Sequence, residues 1–176
     1  MFLILLLSPV AAFAHPGHGA GGFQLGFLHP LLGFDHLIAA LSVGVWSAQS
    51  GTRERFILPP MFLLCMLAGG ALGMAGYSLP NLEAGIWASL ILLSVAIVMS
   101  VKVRLRWSLF MISTFGLFHG NAHGLEIAPG LDAVGYATGF LIATASLHLA
   151  GILVARVLLL DESAGVRRPR LPAHDL

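Results

Sequence analysis

Five apolar blocks, separated by short polar breaks, follow one another along most of this chain. At ~1.5 Å per residue, a block of ~20 residues matches the ~30 Å hydrocarbon core of a bilayer. Lipid offers no partner to backbone N–H and C=O groups, so consecutive blocks of this kind form helices. They run from Pro30 to Ser50, Ile57 to Gly76, Ala84 to Val101, Ser108 to Ile127 and Val134 to Leu158. The predicted fold is therefore all-α, a polytopic membrane helix bundle with five spans in a domain over residues 30–160. Composition agrees. Only 10% of the 176 residues are charged and 57% are hydrophobic, whereas a soluble domain carries about a quarter charged residues.

Residues 1–14, MFLILLLSPVAAFA, have the apolar stretch and small-residue end of a secretory signal peptide. No basic residue precedes the apolar stretch, and an uncleaved, half-inserted anchor is the alternative. Residues 15–29 are then expected to form a His- and Gly-rich leader, and residues 161–176 a disordered polar tail containing Pro169 and Pro172. Pro59 and Pro60 are expected in the first turn of the second span, where a missing N–H costs least.

Positive charge orients the bundle. With the leader outside, the inner segments hold Arg53, Arg55, Lys102, Arg104, Arg106, Arg156, Arg167, Arg168 and Arg170, which are all nine Lys and Arg residues. Cytoplasmic loops of membrane proteins carry such an excess. The chain is thus expected in a bacterial inner membrane, N-terminus periplasmic and C-terminus cytoplasmic, with the lipid bilayer as one partner and a homo-oligomer compatible with the pattern. A net charge of +1 excludes a nucleic-acid surface. A single cysteine, Cys65, excludes both a disulfide framework and a thiolate metal cluster within one chain.

Ionisable groups inside a bilayer cost ~2.5–3.5 kcal/mol for Asp, Lys or Arg at a helix centre, and so tend to carry function. In HPLLGFDH, His29 and His36 stand seven residues apart, on one face if the helix is continuous, with Asp35 beside His36. Pro30 suits the first position of a helix, which would leave His29 just outside it. In FHGNAHGLE, His119, His123 and Glu126 form one narrow stripe, flanked by Gly116, Gly120 and Gly124, which allow a neighbouring helix to come close. The topology places Asp35 and His36 ~8–9 Å below the outer surface and His119 ~10 Å below it. Glu83 opens the third span from the same side, as a ligand or as a partner of the helix dipole.

Imidazole and carboxylate donors without thiolate suit nickel, cobalt, zinc or copper(II) as ligand, with no permanently bound cofactor. Magnesium and calcium prefer all-oxygen shells. Interhelical hydrogen bonding is the competing role for the histidines. Asn121 is a candidate donor behind the His stripe, and His148 is either hydrogen-bonded to backbone or a relay deeper in the fifth span. His15 and His18 could capture a metal at the mature N-terminus or belong to a flexible leader. The scattered methionines Met61, Met66, Met74, Met99 and Met111 fit packing better than a copper(I) ladder.

The HPLLGFDH and FHGNAHGLE motifs, the preceding HPGHG and the Glu83-Ala84-Gly85-Ile86 opening of the third span resemble the HupE/UreJ family of nickel/cobalt permeases. The resemblance implies secondary uptake of nickel or cobalt, often serving nickel enzymes such as hydrogenase or urease. It places His29, Asp35 and His36 in the first signature and His119, His123 and Glu126 in the second. Members of that family usually carry a sixth span, whereas this chain turns polar at Asp161. No GxxxxGK[ST] loop is present, so ATP hydrolysis is not expected of this chain. Because imidazole ligates as the neutral base, uptake is expected to fall toward pH 5. The rival readings from the same residues are an intramembrane zinc hydrolase and a bis-histidine haem carrier with His36 facing His119.

Overall fold

The computed structural model describes residues 21–165, and its described residues form six helices and no strand. The predicted signal at 1–14, His15, His18 and residues 166–176 lie outside the described residues. The helices are α1 (Gly22–Leu32), α2 (Phe34–Ser50), α3 (Thr52–Met74), α4 (Leu82–Val98), α5 (Leu105–Glu126) and α6 (Ala133–Gly165). By length and apolarity, α3 and α6 qualify as membrane spans, and the bent pair of α1 and α2 has the form of a broken span or a re-entrant loop. The 17 residues of α4 are apolar but short. The 22 residues of α5 are long enough, but His119, Asn121, His123 and Glu126 lower its hydropathy.

The first predicted span needs correction. It is not one helix from Pro30 but two helices bent by 77° about Gly33. Pro30 lies inside α1, so His29 is helical and not a residue outside the helix start. The backbone stays satisfied through the bend, because Gly33 N donates to His29 O and Leu37 N donates to Gly33 O. Gly33 itself is extended, with φ −77° and ψ 112°, and a Cβ there would sit 2.8 Å from His36 Nδ1. Glycine at the bend thus gives the His36 ring its place.

Three other boundaries differ from expectation. Residues from Gly22 onward, expected to belong to a glycine-rich leader, form α1, because Gly22 and Gly26 fit against the backbone of Asp132 and Tyr136. These glycines serve close approach and not flexibility. Pro59 and Pro60 sit well inside α3, not in its first turn. The last helix runs past Leu158 to Gly165, so the polar tail begins as helix.

Packing follows glycine seams. Cβ atoms added at Gly116, Gly120 and Gly124 of α5 would meet the backbone of Phe62, Met66 and Gly70 on α3 in ascending order. The two helices are therefore parallel neighbours, with Gly69 and Gly73 returning the fit against Leu117 and Asn121. In the same way α6 lies beside α1, and it meets α2 where Gly44 faces Gly151. At the end where α2 finishes and α5 begins, Val43, Trp46, Leu58, Leu93 and Ile112 form a fully buried apolar core. Trp46 Nε1 there donates to Val101 O across 3.1 Å.

Candidate metal centre

At the opposite end, the bend between α1 and α2 turns His29 and His36 toward the last turns of α5. One ring nitrogen from each of His29, His36 and His123 lies within 4.8 Å of the others, close enough for a single metal ion. The rings are packed with centroids 5.3 Å apart for His29–His36, 4.7 Å for His29–His123 and 4.3 Å for His36–His123. Phe140 of α6 closes one side, its ring 4.5 Å from that of His123.

One hydrogen bond fixes which nitrogen of His36 is free. Asp35 Oδ1 accepts from His36 Nδ1 at 2.9 Å, leaving Nε2 to carry the lone pair. That Nε2 is buried and has no partner. Asp35 therefore stands behind His36 as a carboxylate that orients the ring. Tyr136 holds the His29 ring in place, with its Oη 2.9 Å from His29 Nδ1. Among the described residues, both ring nitrogens of His123 are buried without a hydrogen-bond partner, although the exposed Glu126 carboxylate reaches within 3.5 Å of Nδ1. A buried polar atom left unpaired costs ~1–3 kcal/mol. Several such atoms converging on one point mark a place built for something other than packing.

His119 lies one turn earlier on α5, fully buried, with its ring centroid 5.8 Å from that of His36. Ser89 of α4 gives its only hydroxyl proton to Ile86 O at 2.7 Å, so its oxygen accepts from His119 Nε2 at 2.9 Å. The lone pair of His119 is thus on Nδ1. A cavity of about 10 Å³, lined by Pro30, His36, Phe62, His119, Phe140 and Thr144 among others, opens beside these rings. That is roughly room for one water-sized particle.

Other predicted residues are placed elsewhere. Glu83 is exposed in the first turn of α4, and among the described residues no ion pair joins it to the histidines. Asn121 is not behind the His stripe. Its side-chain oxygen accepts from Leu79 N at 2.9 Å, and its amide donates to Tyr77 O at 2.7 Å and to Gly69 O at 3.3 Å. From α5 it holds both the α3–α4 connection and Gly69 of α3. His148 is buried, but among the described residues neither ring nitrogen bonds to backbone or to any other partner.

Tyr136, Ser89 and Phe140 were not legible from the sequence. Each meets a histidine from a different helix, and no local spacing connects them. Asn121 did carry a signal, since two residues past His119 is ~200° around the helix, on the opposite face.

The sequence matches the family described as HupE / UreJ protein over residues 3–169. It is 37% identical over 153 residues to Protein HupE of Rhizobium leguminosarum bv. viciae, a match covering 87% of this chain and 80% of that protein. No solved structure matches it.

Proposed function

The chain belongs to the HupE/UreJ family, and from that premise we propose that it is an inner-membrane permease for a divalent transition-metal cation, nickel or cobalt. The observation that carries the reading is the convergence of His29, His36 and His123 through ring nitrogens within 4.8 Å of one another. Imidazole nitrogens of this kind match the borderline ions, whose order of affinity follows the metals and not the protein. The ion would exchange part of its hydration shell for these three rings, with Asp35 and Tyr136 steering two of them and Glu126 attracting it from the exposed rim. His119 would receive it one turn deeper.

Five crossings, with α1 and α2 as the bent first one, account for the parallel pairs. Helices α3 and α5 would both run outward, while α1, α2 and α6 would run inward. The centre then lies in the periplasmic half and the Trp46 core in the cytoplasmic half. A divalent cation moving inward gains ~4.6 kcal/mol per 100 mV of membrane potential, enough to drive uptake without ATP. Cavities of about 10 Å³ and about 60 Å³ beside the histidines favour a bare ion over a porphyrin or the substrate of a hydrolase.

Accumulation of nickel or cobalt in cells expressing wild type, His36→Ala or His123→Ala tests the reading. Uptake that depends on both histidines supports it. Equal accumulation by all three at equal expression removes the assignment.

A further inference from the structure

We propose that His148 is a second, inner ligand for the transported cation, occupied after the ion leaves the His29/His36/His123 cluster. The inference rests on the permease reading above and extends it inward. His148 is 2% exposed, and among the described residues both its ring nitrogens lack a partner. Lipid-free burial of an unpaired imidazole costs ~1–3 kcal/mol, and an apolar side chain of similar size would avoid that cost. Pure packing therefore does not explain this residue.

Its place connects it to the cluster. Phe140, Thr144 and His148 follow one another at intervals of four on α6, and all three are buried. Such intervals form one stripe on a helix. Phe140 touches the cluster at its outer end, with ring centroids 4.5 Å from His123 and 5.7 Å from His29. Thr144 lines the small cavity that His36 and His119 also line. At the inner end, the His148 ring meets Phe62 edge-on at 5.3 Å, and the same Phe62 ring lies 5.9 Å from His119. One aromatic ring thus separates the deepest imidazole of the outer group from His148. A step of this size is short enough for an ion to pass from one nitrogen donor to the next once Phe62 turns aside.

The test uses the full chain, with nickel binding measured by equilibrium dialysis in detergent and nickel uptake measured in proteoliposomes. His148→Leu keeps the volume and removes the ligand, while His148→Cys substitutes a soft one. His148→Leu is expected to bind nickel as wild type does and to lose ~10-fold or more in uptake rate, the scale seen when a metal site loses a supporting group. His148→Cys is expected to raise cadmium uptake relative to nickel, because thiolate prefers the softer ion. Wild-type uptake by His148→Leu would overturn the proposal. So would joint loss of binding and uptake, which would mark a structural role exerted on the outer cluster. Loss in both variants with an unchanged cadmium-to-nickel ratio would overturn it as well. Failure of the permease reading itself is distinct, since a His123→Ala control would then transport as wild type does.

Discussion

Around His36 and His123, imidazole nitrogens are buried without partners among the described residues, while at the far end the apolar side chains of Val43, Leu58, Leu93 and Ile112 pack together, the Trp46 N–H is satisfied by Val101, and Ser108 Oγ is unpaired. The first region spends stability and the second supplies it. Each unpaired nitrogen costs ~1–3 kcal/mol, whereas burying a large aliphatic side chain returns ~1.5–3 kcal/mol. The glycine seam between α3 and α5 belongs with the second region, because it fixes the separation on which the position of His119 and His123 depends. Stability and ion handling should therefore be separable by mutation.

The largest effect is expected at the seam. Gly120→Leu drives a side chain into the Met66 backbone and should cost more than the ~1–3 kcal/mol of ordinary overpacking, so loss of the monodisperse peak in size-exclusion chromatography is the readout. A monodisperse, fully active variant would mean that the helices are not locked there. Next comes Ile112→Ala, which should lower stability by ~2–5 kcal/mol through a cavity in the dry core. Metal affinity should stay unchanged, as checked by thermal unfolding alongside dialysis.

His123→Ala should show the reverse. Nickel affinity should drop by ~100-fold or more, because a ligand itself is lost and supporting groups alone are worth 10–100-fold. The melting temperature should hold or rise, since two unpaired nitrogens disappear. If affinity survives and stability falls, the two regions are not divided as described. Tyr136→Phe should lower affinity by ~10-fold by freeing the His29 ring, with little change in stability. The smallest effect belongs to Glu126→Gln. Its carboxylate is 63% exposed, so a change of a few-fold in uptake that fades with added salt is expected.

The helical class was readable because apolar blocks of bilayer length leave few alternatives. Boundaries were less so. Pro30 looked like a helix start, since its missing N–H is free of cost there, yet it lies within α1 and the chain bends three residues later at Gly33. Gly22 and Gly26 looked like flexible leader and proved to be contact points, a distinction that depends on what stands opposite each glycine. Spacing alone set His119 and His123 on one stripe, but the bend that brings His29 and His36 to them is a tertiary feature. The role of Asp35 shows the same limit. Composition marks it as a ligand type, whereas its bond to His36 Nδ1 places it behind the ring.

His29 in the first helix is braced by Tyr136 in the last, and α3 clasps α5 only across the intervening α4. Neither pairing is available while the ribosome is still making the middle of the protein. Early helices therefore gain these contacts only after their distant partners have been made. A nascent or shortened chain lacking α6 has no brace for His29 and no Phe140 wall. The three clustered histidines all precede α6, so such a chain would keep the nitrogen donors and lose the contacts that hold them in place.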